Sequence, residues 1–233
     1  MTSDRELMAA HALALFTHDD GARLLTVNEP GGGPPAPRLF LGRTRQGNLR
    51  RFRSDLPDAL VRELEALCRD EPVGEDLTSR PRHAALYERL LEAHAPVRGV
   101  ESGPAYYFAE YPEPERLPVA LTEKDARMLR GGFEELAAEL PGWQPFVAIL
   151  EGGRAVSVCR SVRVTPEAHE AGVETLPESR GKGYAADVTA GWALRVRSLG
   201  ALPLYSTSWQ NAASQAVARK LRLARYGADF HIT

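Results

Sequence analysis

The residues best suited to chemistry gather between positions 170 and 214. The run Arg180-Gly181-Lys182-Gly183-Tyr184-Ala185 places two cations and two glycines directly before a helix-forming segment. The main-chain N–H groups of about residues 181 to 185 then have no carbonyl one turn back to bond, and they stand at the positive end of a helix dipole. Gly181 and Gly183 admit a ligand to the backbone without a Cβ in the way, while Arg180 and Lys182 add charge. This is anion-binding chemistry, and a diphosphate fits it. A few residues upstream, Glu170 and Glu174 are carboxylates of the kind that remove protons. On an extended strand they share one face and His169 takes the other, where a surface imidazole is expected.

The elements that must position these groups follow from periodicity. "PFVAILEGGRAVSVCR" is two apolar runs joined at Glu151-Gly152-Gly153, a hairpin signal. "EAGVETLP" reads as a further strand. "GYAADVTAGWALRVRSLG" carries Tyr184, Val188, Trp192, Val196 and Leu199 on one helical stripe and stops at Gly200. A strand ("LPLYSTS"), a helix ("NAASQAVARKLRL") and a strand ("YGADFHI") complete the chain. Ahead of them, "TEKDARMLRGGFEELAAELPG" has an N-cap candidate in Thr122 and helical spacing from Ala126 to Leu140, predicting one helix with a weak point at Gly131-Gly132.

Earlier still, "NEPGGGPPAPR" (28–38) is a surface loop, "RLFLGRT" and "GNLRRFRSD" are paired strands, and "PDALVRELEALCRD" and "HAALYERLLEAH" are helices. "AYYFAEYPEPERLP" begins as a strand and breaks on prolines, which suggests a boundary between residues 1–115 and 116–233. The order from about residue 118 implies an α/β chain with a mixed sheet, helices packed on it and ligands at the carboxyl ends of its strands.

Phosphate-binding loops come in several kinds. A P-loop needs Ser or Thr after its lysine, and Lys182 is followed by Gly183, so that reading fails. The dinucleotide fingerprint is met in spacing by Gly181, Gly183 and Ala186, yet no carboxylate occurs in "LGALPLYSTSW" where the ribose partner belongs. The third kind is the coenzyme A loop. Arg180, Gly183 and Ala185 match the signature of the GNAT superfamily of acyl-CoA N-acyltransferases: Arg or Gln, two residues, Gly, one residue, then Gly or Ala. "VETLPESRGKGYA" resembles the family's fourth strand and diphosphate loop, and "PLYSTSWQNAASQAVARKL" resembles its fifth strand and asparagine-led helix. The resemblance covers roughly the C-terminal half. Residues 1–115 show no family motif and are expected to be an accessory portion or a degenerate copy of the fold.

The resemblance implies a GNAT-like fold and acetyl-CoA as cofactor. Val173, Glu174 and Thr175 would offer backbone groups to the pantetheine arm. Arg180, Gly181, Lys182, Gly183, Tyr184 and Ala185 would take the diphosphate, and Asn211 with Ser214 would meet the arm near the thioester. Arg219, Lys220 and Arg222 are within reach of the adenosine phosphate, although a solvated helix face is the preferred reading. Glu170 lies near the position where many relatives carry a glutamate, and both it and Glu174 are candidates for the base. The family's usual acidic tyrosine is replaced by Ala218, so that either the thiolate leaves unaided or another hydroxyl, such as Tyr205, Ser208 or Tyr226, serves.

Composition excludes several classes. The 29 basic and 31 acidic residues among 233 create no global field for nucleic acid or membrane, and no run is long enough to span a bilayer. A cytoplasmic protein is expected. Cys68 and Cys159 lack metal-ligand or redox spacing, so buried thiols are expected and no metal. The five arginines of "GRTRQGNLRRFR" read as a solvated hairpin face, and Trp143, Trp192 and Trp209 as core or rim aromatics. The expected function is transfer of an acetyl group from acetyl-CoA to a primary amine of a small molecule or protein. A non-catalytic acyl-CoA sensor and, on the GxGxxA spacing, a nicotinamide-dependent oxidoreductase stand as alternatives. A homodimer is compatible with the sequence.

Overall fold

The computed structural model describes residues 2–74 and 76–233. The chain opens with helix α1 (Asp4–Leu15), started by a capping box in which the Ser3 hydroxyl takes the Glu6 N–H and the Glu6 carboxylate takes the Ser3 N–H. Strands β1 (Phe16–His18) and β2 (Leu24–Val27) form a separate two-stranded sheet. Then come β3 (Leu39–Thr44), β4 (Gly47–Phe52), α2 (Asp58–Arg69), α3 (Ala84–His94) and β5 (Val100–Tyr107). The remainder is β6 (Val119–Ala120), two short 3-10 turns, β7 (Phe146–Glu151), β8 (Arg154–Val164), β9 (Ala168–Thr175), α4 (Tyr184–Ser198), β10 (Leu202–Ser206), α5 (Ala212–Lys220) and β11 (Ala224–Ile232). Among the described residues no helix is long and apolar enough to cross a membrane.

Nine strands form one mixed sheet in the order β4-β3-β11-β5-β10-β9-β8-β7-β6. Strands from both portions of the chain share it: β11 lies between β3 and β5, and β5 lies between β11 and β10. Among the described residues of this sheet only β9 and β10 run parallel, joined by the α4 crossover. Strand alternation sends side chains to two faces. On one, α4 covers the apolar residues of β7, β8 and β9, with Trp192 and Val188 fully buried, while α2 and α3 cover Leu39, Leu41, Phe230 and Ile232. On the other, α1 packs Leu7, Met8 and Ala12 against Phe40, Leu204 and Tyr226.

Three expectations about elements change. The segment after Thr122 is not one helix but two 3-10 turns, Glu123–Leu129 and Glu134–Ala138. Thr122 caps the first, with Asp125 completing the box, and the break falls at Gly131 and Gly132, whose φ values of 88° and 153° no helix accommodates. Leu199 does not join the buried stripe of α4, because the helix ends at Ser198 and leaves that side chain 64% exposed. The arginine cluster is not a uniformly solvated face: Arg43 is buried and donates to the carbonyls of Leu77 and Ser79, whereas Arg50 and Arg53 pair with Glu65 and Asp55. Cys68 and Cys159 are free and buried, as expected.

Candidate active site

Strands β9 and β10 pair over three residues only, Ala168–Glu170 against Leu202–Leu204. Beyond that rung both continue, β9 to Thr175 and β10 to Ser206, without a ladder between them. The split opens a cleft of about 1010 Å³ at the carboxyl ends of the two strands, closed by the loop before α4 and by the first turns of α5. Val173, Glu174, Thr175, Arg180, Gly181, Lys182, Gly183, Tyr184, Ala185, Asn211 and Ser214 all line it, as do Tyr205 and Lys220.

At one end of the cleft the loop is held by a short 3-10 turn at Pro177–Ser179 and by Arg180 Nε, which donates to the Thr175 carbonyl at 3.3 Å. Gly181 and Gly183 take φ values of 76° and 88°. Within the first turn of α4 only Ala186 and Asp187 turn their N–H groups back to Gly183, and among the described residues those of 181 to 185 have no acceptor. Such a row of donors is an anion cradle. The cations around it are partly uncommitted. Lys182 reaches Glu151 only at 3.5 Å, and among the described residues Arg180 and Lys220 form no ion pair. Lys220 Nζ comes within 2.7 Å of the point where a Cβ on Gly183 would lie. Lys220 is exposed, in keeping with the reading of a solvated helix face, and the last turn of α5 also brings it to the mouth of the loop.

At the other end, Asn211 caps α5 by accepting the Ser214 N–H at 2.9 Å. The Tyr205 hydroxyl contacts Ser214 Oγ at 2.6 Å and the Ser214 carbonyl at 3.2 Å, which fixes a phenol on the cleft wall. Burial pushes its pKa up to about 12, so it remains a protonated donor at neutral pH. Ser208 is exposed and does not line the cleft, Tyr226 is fully buried beneath α1, and Ala218 is buried in α5.

The two carboxylates separate. Register places Val173 beside Cys159 and Glu174 beside Val158. Glu174 therefore projects from the face opposite α4 at the cleft, where Arg160 Nη1 donates to it at 2.7 Å. Arg160 also holds Glu139 at 2.6 Å and lies over the Trp143 ring. Glu170 is set apart from the cleft lining. It is 3% exposed, and its Oε2 lies 3.2 Å from Nδ1 of His11, whose Nε2 meets Asp229 Oδ2 at 3.0 Å. That makes it a partner of α1. Burial lowers the His11 pKa, but the Glu170 and Asp229 carboxylates outweigh burial and raise it to about 10, so the imidazole is a buried cation. His169 is likewise not at the surface: it is 6% exposed, its Nδ1 is 2.8 Å from Ser161 Oγ, and burial holds its pKa below the ordinary value.

The sequence comparisons bear on this loop-and-split geometry. Residues 146–225 match the GNAT acetyltransferase family. The GNAT match runs from β7 into β11, and so contains the split strands, the donor loop and both cleft helices. No curated protein sequence is detectably similar to the chain. Among solved structures, a GNAT-family protein from Novosphingobium aromaticivorans is 22% identical over 58% of this chain and 65% of its own, with a TM-score of 0.45. A GNAT acetyltransferase from Colwellia psychrerythraea is 13% identical over 79% and 75%, with a TM-score of 0.48. A GCN5-related N-acetyltransferase-like protein from Streptococcus suis is 17% identical over 85% of each chain, also with a TM-score of 0.48.

Proposed function

We propose that the protein transfers an acetyl group from acetyl-CoA to a primary amine. The observation that carries this reading is the row of acceptor-free N–H groups at residues 181 to 185, opening onto a cleft between parallel strands inside the GNAT match. The residues present fit coenzyme A: the loop amides with Arg180, Lys182 and Lys220 suit its diphosphate, and the unpaired edges of Val173–Thr175 suit the amides of its pantetheine arm. Bound there, acetyl-CoA supplies a thioester activated toward attack.

The chain supplies the rest. Glu174 is the candidate base, since it stands at the cleft on the face away from α4, and Tyr205 is the candidate acid, placed to hand its proton to a leaving thiolate. Tyr205 thereby answers for the hydroxyl missing at Ala218. Holding thiolester and amine together in the split contributes a large part of the rate.

Thermal-shift measurements with acetyl-CoA, CoA and NADH test the cofactor. The first two should raise the melting temperature and NADH should not, because selective binding stabilises by mass action. Stabilisation by NADH without CoA overturns the reading. Thioester consumption over a panel of amines then tests transfer, and binding without turnover across that panel would favour an acyl-CoA sensor.

A further inference from the structure

The proline-rich stretch before β6 is bound to the candidate site. It crosses the first turn of α4, where the Glu115 N–H donates to Asp187 Oδ1 at 3.0 Å and Arg116 Nη1 donates to Asp187 Oδ2 at 2.8 Å. Asp187 is 3% exposed. An acid in a helix's first turn suits the dipole, yet beside a bound diphosphate it would repel unless a cation neutralised it. Arg116 is that cation. Its guanidinium carbon lies 5.0 Å from the centre of the Tyr184 ring, and its Nη1 lies 3.9 Å from the point a Cβ on Gly183 would occupy, the same point Lys220 approaches from α5. Asp187 occupies one of the five N–H donors of the guanidinium, and the side chain is 46% exposed, so donors remain for a ligand.

We propose that Arg116 is a cofactor-binding residue that closes on the diphosphate over Gly183 together with Lys220, with Asp187 as the residue that positions it. It is recruited from outside residues 146–225 and belongs to no motif read from the sequence. The proposal rests on the acyl-CoA reading above. A guanidinium suits the task, because its planar fork matches phosphate oxygens in pairs.

Calorimetric titration of the full chain with CoA and with 3′-dephospho-CoA tests it. Arg116→Gln should weaken both ligands about ten-fold or more, as expected for a lost charge-assisted hydrogen bond, while the ligand-free protein stays folded but melts lower, because the buried Asp187 loses its cation. Arg197→Gln is the control. Arg197 stacks on Tyr111 at 4.4 Å and steadies the far end of the same strap without approaching the loop, so its loss should leave both affinities unchanged. Equal affinity in Arg116→Gln, a loss confined to CoA, or an equal loss in Arg197→Gln overturns the assignment of Arg116 while the cofactor reading stands. If the unaltered protein binds neither ligand, the cofactor reading falls and takes this proposal with it.

Discussion

The Tyr205 hydroxyl and Ser214 Oγ stand 2.6 Å apart, joining the end of β10 to the first turn of α5 on the wall of the cleft. With its pKa raised by burial to about 12, the phenol holds its proton through the neutral range and is oriented by a fixed partner. Tyr205→Phe removes the hydroxyl and keeps the packing. Steady-state kinetics should show kcat lower by about 100-fold, the scale of a lost acid–base group, with CoA affinity changed by no more than about two-fold. An unaffected kcat removes Tyr205 from the chemistry.

Glu170 and Glu174 lie on the same strand and should behave differently. Glu174→Gln should lower kcat/KM by about 100-fold or more, with little effect on folding. Glu170→Gln should act on stability instead, because it leaves the buried His11 cation short of a partner; breaking such a pair costs about 3–5 kcal/mol. Thermal melts and steady-state kinetics of the two variants separate the roles. A large kcat effect in a fully stable Glu170→Gln protein would return the base to Glu170.

The buried His11 cation makes stability depend on pH with a defined sign. Its folded pKa of about 10 lies above the ordinary 6.5. The stabilisation is therefore complete below pH 6.5, declines through the alkaline range and is gone once pH passes about 10, amounting to something on the order of a few kcal/mol. Melting temperature should fall over that window. His11→Asn should lose this slope and melt lower at pH 7, since Glu170 and Asp229 then face each other without a cation between them. A variant that retains the slope places the titration elsewhere.

Gly183 combines a left-handed φ with a cation, Lys220 Nζ, 2.7 Å from the point where a Cβ would lie. Gly183→Ala should cost about 1–2 kcal/mol in backbone strain and push Lys220 out of its place. The expected result is a modestly lower melting temperature in the free protein and loss of the CoA-induced rise. A full CoA-induced rise in this variant would remove Gly183 from the cofactor site.

Much of this was legible in the sequence because it is local. The 3.6-residue spacing of Tyr184, Val188, Trp192 and Val196 predicts α4, the paired glycines after Glu151 predict the β7–β8 hairpin, and Asn211 predicts the start of α5. What escaped depends on distance along the chain. Nothing near Glu170 announces His11, 159 positions away, or shows that α1 would cover that face. Lys220 looks like any basic residue in a last helical turn until α5 is seen to return to the loop, and Arg116 looks like linker until Asp187 is seen to hold it. The 3-10 turns after Thr122 mark another limit: apolar spacing suited a helix, and two left-handed glycines decided otherwise.

The threading of β11 between β3 and β5 governs how the molecule can come into being. Until residues 202–232 have left the ribosome, β5 lacks both of its neighbours, β10 and β11, and the early strands are not fully joined to the late ones, so the main sheet must be completed after most of the chain is made. Cutting the polypeptide near residue 115 should give two fragments that each expose an unfilled strand position and recover order only on being mixed.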